Sequence, residues 1–229
     1  MKLYCDPIST TSRPVMLFIA DHGLDVEFVH VDLMTGGHLD PDYLAINPNG
    51  LVPFLVDGDF ALGESASILR YLANKAGAPA YPKDSKARAR VDETLDWFNT
   101  QFHEYFCLFT CYPNMGVPHG LDPALGQALM AYGREHSVRW LELLDRRMLA
   151  GQPYVCGDEV SLADYLGASF VTLGEIAAFD LSPYPNIRAW LARLQAGRNW
   201  DATYAGFRGL VAAIRGGAGA TEPALVAAE

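Results

Sequence analysis

The sequence has few cysteines and no long apolar run. Its four cysteines include no CxxC pair in 229 residues, which is sparse for a secreted disulfide scaffold. No window approaches the ~18 uninterrupted apolar residues of a membrane span, and the first residues lack the apolar stretch of a secretory signal. These absences predict a cytoplasmic protein with no membrane partner.

Positive charge is also scarce. Seventeen lysines and arginines face 27 acidic residues, a formal net charge of -10. Neutralising a nucleic-acid backbone takes clustered basic residues, so the composition argues against a nucleic-acid partner. Half of the residues are hydrophobic, which is enough for one large core or two smaller ones.

The first 78 residues alternate strand and helix signals. Residues 2–5 predict a strand, Ser12 to Gly23 a helix ended by glycine, and residues 26–33 a second strand. Because this crossover is short, it predicts a parallel βαβ unit. A short helix capped by Asp40, a hairpin across Asp57-Gly58 and a helix over 64–77 follow.

The remainder reads as helical. A polar, proline-bearing linker covers residues 79–86, helical patterns fill residues 87–215, and residues 216–229 form a small-residue tail that we expect to be flexible. A mixed α/β unit followed by an all-helical unit predicts two domains packed together.

Three segments carry a family resemblance over about residues 1–215. They are DPISTTSR after the first strand, NPNGLVPFLVDGDFALGESASILRYL at 47–72, and GDEVSLADYLGASF at 157–170. In this order they resemble the cytosolic glutathione transferase superfamily, in particular a bacterial, serine-type, theta-like member. The resemblance implies a thioredoxin-like N-terminal domain (βαβαββα), an all-helical C-terminal domain, glutathione as co-substrate, no metal, and a homodimer.

The second and third segments have different implied roles. In the family Val52-Pro53 is cis and offers the main chain of Val52 to glutathione, while Glu64 and Ser65 bind its γ-glutamyl end at a helix N-terminus. The alternative is a trans proline at a strand start and a plain helix cap. In the third segment, Ser161 and Asp164 stand at capping-box spacing, which indicates a folding role and not chemistry.

Few charged residues are assigned to the glycyl end of glutathione. The resemblance places His38 against the glycyl carboxylate, the alternative being a solvated loop histidine. Some relatives have a lysine where this chain has Leu51, so recognition of that carboxylate rests on fewer charges.

The first segment supplies the expected donor to the glutathione sulfur. By resemblance Ser9 is that donor, with Thr10 and Ser12 also at the glutathione site. A hydroxyl donor and the helix N-terminus lower a thiol pKa from its reference near ~8.5. Thr10, Thr11 and then Ser12 are alternative donors, and at least one hydroxyl, foremost Ser12, is expected to satisfy helix amides instead.

An aromatic helix in the second domain is the expected acceptor site. Spacings of three and four predict one wide aromatic face, most of which would be core or subunit interface. The candidate residues are His103, Tyr105, Phe106, Phe109 and Tyr112. His103 resembles a histidine that reaches the active site in beta-type relatives, although it is as readily a packed helix histidine. The aromatic content predicts a hydrophobic electrophile of the aromatic or halogenated class.

These readings predict a glutathione transferase with a role in detoxification. A non-catalytic binding or regulatory protein on the same fold is the alternative. A glutathione-dependent disulfide reductase ranks lower, because it needs a reactive cysteine at Ser9 or Thr10, and the nearest thiol is Cys5.

Overall fold

A computed structural model describes residues 1–116 and 120–216. The N-terminal domain is a small sheet with helices. Its elements are β1 Lys2–Cys5, α1 Ser12–Asp21, β2 Glu27–His30, α2 Pro41–Ile46, β3 Phe54–Asp57, β4 Phe60–Leu62 and α3 Ser65–Ala76. The strand order is β2-β1-β3-β4. β1 pairs with β2 in parallel and with β3 antiparallel, and β3 and β4 form the predicted hairpin.

Over its described residues, the C-terminal domain consists of helices and the loops that join them. Its helices are α4 Ser85–Trp97, α5 Pro123–Leu143, α6 Leu162–Thr172, α7 Pro185–Gln195 and α8 Trp200–Arg215. α4 continues without a break over Phe98–Cys111 with the wider π-type winding. The predicted fold class, a thioredoxin-like domain followed by an all-helical domain, is confirmed.

Local signals set most of these boundaries. The Asp40 carboxylate accepts the Asp42 amide at 2.9 Å to start α2, and Gly23 takes the left-handed φ of 58° that ends α1. The strand predicted over 26–33 is shorter, at Glu27–His30. Ser85, which the linker prediction included, opens α4 behind an Asp84 cap. Of the predicted tail, residues 217–229 lie outside the described residues.

The third motif is a structural centre, as predicted. Asp164 is fully buried at the start of α6 and completes a capping box with Ser161. Its carboxylate also accepts the Val155 amide at 2.9 Å and the Trp190 indole N–H at 2.8 Å. The motif thereby joins α6, α7 and the preceding loop.

Candidate active site

The loop after β1 is held by a buried carboxylate. Asp6 accepts the amide of Ile8 at 3.0 Å and that of Leu33, beyond β2, at 2.9 Å. The Ser9 amide donates to the Asp6 carbonyl at 3.0 Å. These bonds fix the loop at the carboxyl end of the parallel strands, where open α/β sheets place ligands.

The hydroxyls of this loop face different ways. Ser9 is 8% exposed, Thr10 is 5% exposed and Ser12 is fully buried, whereas Thr11 is half-buried. Ser9 Oγ accepts the Ser12 amide at 3.2 Å and lies 3.1 Å from Thr11 Oγ1. The hydroxyl that accepts from a helix amide is therefore Ser9. The expectation that Ser12 is foremost in this role is wrong, because its hydroxyl instead accepts the Asp6 amide at 3.4 Å.

Thr11 connects this loop to the second motif. Its Oγ1 donates to the Val52 carbonyl at 2.9 Å. The Val52-Pro53 bond is cis, as the resemblance implied. The preceding carbonyl, that of Leu51, accepts the Tyr43 hydroxyl at 2.6 Å and the Asn47 side-chain amide at 2.8 Å. The main chain on both sides of Val52 is thus fixed beside Ser9.

The start of α3 has an unusual backbone. Glu64, exposed just before the helix, has φ 63° and ψ 116°, a conformation that L-residues rarely adopt and that costs about 1–3 kcal/mol. Ser65 is buried at the first helical position. Among the described residues no side chain caps this helix, so its first amides and positive dipole end are left for an anion.

His38 lies in a short turn, Gly37–Leu39, next to the segment that leads to Val52. Gly50 has φ 59°, and a Cβ there would come within 3.1 Å of the His38 carbonyl, so glycine permits this close approach. The His38 Nδ1 is buried and has no hydrogen-bond partner among the described residues. The ring therefore has one polar atom without a partner, which is uncommon for a buried group.

The helical domain holds the Ser9 loop from behind. Ser169 of α6 donates its hydroxyl to the Thr10 carbonyl at 2.6 Å. The fully buried Arg13 donates to the Ile8 carbonyl at 2.7 Å and to the Ser169 carbonyl at 3.3 Å. Its guanidinium lies 3.7 Å from the ring centre of Phe207 in α8, and burial lowers its pKa. Both domains thus position the loop.

The predicted aromatic face divides into three groups. Tyr105 and Phe109 pack toward α5, with Tyr105 5.7 Å from the His136 ring and Phe109 6.1 Å from Tyr132. Phe106 is fully buried against Phe179. Residues four apart still share a face, as Tyr105 and Phe109 do with ring centres 5.8 Å apart. Residues three apart do not, since Phe106 packs on Phe179 and Phe109 on Tyr132, as the wider π-type winding would give.

His103 and Tyr112 form the third group. Their rings are 5.8 Å apart, and His103 is 5.1 Å from Phe170 of α6. Burial raises the pKa of Tyr112, an effect that the nearby Thr10 hydroxyl opposes. Burial lowers the pKa of His103, so its ring is neutral near pH 7.

The thiols are buried rather than reactive. Burial raises the pKa of Cys5 and that of Cys111 to about 12, and it raises the pKa of Cys156 and Cys107 as well. A thiol nucleophile needs a depressed pKa and access. These environments disfavour redox chemistry at the cysteines.

Sequence reasoning missed Asp6 and Ser169. An Asp two residues before a loop amide is a recognisable turn signal, so Asp6 was detectable. Ser169, which lies far along the chain, acts through a main-chain carbonyl, for which no local pattern exists.

Comparisons with known proteins bear on the family of this chain. The family model of the glutathione S-transferase N-terminal domain matches residues 3–80, and that of the C-terminal domain matches residues 118–196. Human glutathione S-transferase theta-1 is 34% identical over 200 residues, which cover 86% of this chain and 82% of the relative. Mouse theta-1 is 32% identical, with the same coverage of each chain.

Solved structures give the same result. The apo form of human glutathione-S-transferase T1-1 superposes with a TM-score of 0.82 at 30% identity, covering 93% of this chain and 90% of that one. Human glutathione transferase theta-2, in a complex with glutathione, gives 0.81 at 28% identity, covering 94% and 90%. The chain therefore belongs to the glutathione S-transferase family and has theta-class relatives.

Two further findings concern the described residues only. None of their helices is long and apolar enough to cross a membrane. They contain no group of three or more His, Cys, Asp or Glu side chains arranged to hold a metal ion.

Proposed function

We propose that this chain is a serine-type glutathione transferase in which Ser9 stabilises the glutathione thiolate for attack on a hydrophobic electrophile. The observation that carries the proposal is the Thr11 to Val52 hydrogen bond, at 2.9 Å. It brings the hydroxyl loop and the cis-proline segment together, so one peptide ligand reaches both.

The N-terminal domain supplies the glutathione contacts. The amide and carbonyl of Val52, ahead of Pro53, pair with the cysteinyl unit. Ser65 and the first amides of α3 take the γ-glutamyl carboxylate, and Glu64 pairs with the amino group. These groups adjoin Ser9 through a fixed main chain, which orients the thiol before reaction.

The glycyl carboxylate is assigned to His38. Its unpaired, buried Nδ1 supports this role, because a buried polar atom is stabilised by a partner. Thr10 and Ser12 contribute differently: they are buried behind the loop and support it rather than contact the ligand.

Ser9 acts as a hydrogen-bond donor to sulfur and not as a nucleophile. The thiol proton leaves to solvent, and the remaining thiolate accepts a hydrogen bond from the Ser9 hydroxyl, while the N-terminal end of α1 adds favourable potential. No covalent enzyme intermediate is needed. Each unit of lowered thiol pKa corresponds to about 1.4 kcal/mol of preference for the thiolate.

The acceptor site is proposed beside His103 and Tyr112. The Tyr112 ring is near Thr10 and 5.8 Å from the His103 ring, and an apolar aromatic or halogenated electrophile suits such surroundings. The contacts of Tyr105, Phe106 and Phe109 favour packing roles. We further propose a cytoplasmic homodimer, as the family resemblance implies; a bacterial source stays a prediction.

A non-catalytic binding protein on the same fold is the competing function. The observation that favours it is Leu51, 61% exposed at the mouth of the site where some relatives have lysine. Disulfide reduction is disfavoured by the burial of Cys5.

The test is a titration of glutathione followed by thiolate absorbance from pH 5 to 9, comparing the wild type with Ser9→Ala. We expect the bound thiol of the wild type to ionise well below its solution pKa and Ser9→Ala to raise that pKa by about 1–2 units, since a hydrogen bond to a charged group contributes about 1.5–3 kcal/mol. Conjugation of a halogenated aromatic substrate should fall by about 10–100-fold.

Ser85→Ala is the control, because Ser85 is exposed at the start of α4, outside the proposed glutathione site. Binding of glutathione without ionisation would favour the binding-protein alternative. A failure to bind glutathione at all would leave only the fold in common with the family.

A further inference from the structure

We propose that Thr11 is a second hydroxyl donor to the bound thiolate, acting together with Ser9. The inference deepens the proposed function and rests on it. It concerns a residue that the glutathione-site assignment above leaves out, and its argument begins with the protons of the Ser9–Thr11 pair.

The direction of each hydrogen bond in the pair follows from simple counting. A threonine hydroxyl has one proton, and the Val52 carbonyl can only accept. The bond at 2.9 Å therefore uses the Thr11 proton. Between Ser9 and Thr11, 3.1 Å apart, the proton must then come from Ser9. In the free protein both hydroxyl protons are committed.

An arriving anion changes the balance. Hydrogen bonds to a charged acceptor are roughly twice as strong as those to a neutral one, so a thiolate competes well with both a carbonyl and a hydroxyl oxygen. Because the two oxygens are only 3.1 Å apart, a single acceptor atom can lie within hydrogen-bonding distance of both. Each hydroxyl reaches the anion by rotation about one bond.

The Val52 carbonyl is also the group proposed to accept the cysteinyl amide of glutathione. When that amide binds, the carbonyl keeps a partner after Thr11 turns away, so no buried acceptor is left unpaired. Ligand binding thus replaces the Thr11 bond to Val52 and releases a donor at the position where the sulfur arrives.

Burial separates Thr11 from its neighbours. Thr10 and Ser12 are buried, with the Thr10 carbonyl bonded to Ser169 and the Ser12 hydroxyl bonded to the Asp6 amide. Thr11 is half-buried and lies beside Ser9 on the ligand side. Of the three alternative donors named from the sequence, Thr11 alone combines exposure with contact to both Ser9 and Val52.

The experiment compares Thr11→Val, which removes the hydroxyl at nearly constant shape, with Thr11→Ser, which keeps it. Thr100→Val is the matched control, because Thr100 is exposed on the helical domain and its hydroxyl also donates to a main-chain carbonyl, that of Asp96. The pKa of bound glutathione is read from thiolate absorbance. The affinity for S-methylglutathione, which has no ionisable thiol, separately reads the contacts to the main chain.

We expect Thr11→Val to raise the pKa of the bound thiol by about one unit, the effect of losing one donor to an anion. Thr11→Ser and Thr100→Val should leave it unchanged, and affinity for S-methylglutathione should change by less than about threefold. In the Ser9→Ala/Thr11→Val double variant the pKa should rise further than in either single variant.

An unchanged or lowered thiol pKa in Thr11→Val would overturn the inference. The Thr11 hydroxyl would then only accept the hydrogen bond of Ser9 and make no contribution to stabilising the thiolate. Loss of S-methylglutathione binding in Thr11→Val but not in Thr11→Ser would also overturn it, by placing the hydroxyl in support of the Val52 segment. Failure of the proposed function itself would give a different result: glutathione would then bind to the wild-type protein without ionising.

Discussion

Two hydroxyl and carboxyl clusters of similar composition lie at the starts of two helices, one at α1 and one at α6. At α6, the Asp164 carboxylate is fully buried and accepts donors from Val155, Ser161 and Trp190. At α1, Ser9 and Thr11 hold protons that an anion can redirect. The first cluster is complete without a ligand, and the second is not.

The difference teaches how to distinguish a folding motif from a reactive one. Serine next to an acidic or hydroxyl neighbour ahead of a helix occurs in both clusters. What separates them is exposure and whether each polar group already has its strongest available partner. Asp164 has four donors, whereas the Ser9 pair is bonded to neutral acceptors only.

The largest expected effect is at the Asp164 cluster, which is complete without a ligand. Asp164→Ala should lower the free energy of unfolding by about 4 kcal/mol or more, because it leaves several buried donors without an acceptor at about 1–3 kcal/mol each. Urea denaturation measures it. Asp158→Ala, at an exposed site before α6, is the control and should change stability by less than about 0.5 kcal/mol. Equal midpoints for the two variants would remove the distinction between the clusters.

A smaller effect is expected at the proposed glutathione site, where a ligand is needed to complete the contacts. Glu64→Gly should raise the free energy of unfolding by about 1 kcal/mol, because glycine adopts the positive φ without strain, yet it should weaken glutathione binding by about tenfold through loss of the amino-group partner. Unfolding in urea and calorimetric titration of glutathione measure the two effects.

Ala178→Gly is the matched control for that variant. Ala178 also has positive φ, at 48°, and its substitution should give the same gain in stability with unchanged binding. Unaltered glutathione affinity in Glu64→Gly would remove Glu64 from the proposed site.

The smallest effect concerns an exposed cluster. Hydrogen bonds from Lys75 and Tyr71 lower the pKa of Asp57 below its usual 3.8. The stability from this depressed pKa is fully present above the unfolded value and is lost as pH falls through the folded one. Urea midpoints at pH 7, 4 and 3 should therefore decline less in Asp57→Asn than in the wild type. Asp59→Asn, on the same hairpin, should follow the wild type; identical slopes for all three would contradict the assignment.

Much of the fold was predictable because its signals are local. The Asp40 cap, the glycine after α1 and the hairpin across Asp57-Gly58 each depend on a few neighbouring residues. The cis bond at Pro53 came from the family resemblance rather than from any local pattern, since X-Pro bonds in proteins are mostly trans.

The candidate site was predictable only in part. The contact between Thr11 and Val52 joins residues separated by 41 positions, which no spacing rule anticipates. The spacing of the aromatic residues could not separate cleft from packing positions, because residues three apart contact different partners where the chain winds more widely than an α-helix. The prediction that the Ser12 hydroxyl accepts a helix amide is wrong, because Ser9 Oγ accepts it in the folded loop.

The attachment of the Ser9 loop to the helical domain has one further consequence. Ser169 donates to the carbonyl of Thr10, and Arg13 of α1 donates to those of Ile8 and Ser169. A main-chain carbonyl is present whatever side chain the residue carries. These hydrogen bonds therefore do not depend on which side chains Thr10 and Ile8 carry. Side chains at these positions can therefore be changed, by design or by selection, while the hydrogen bonds that attach the loop are kept.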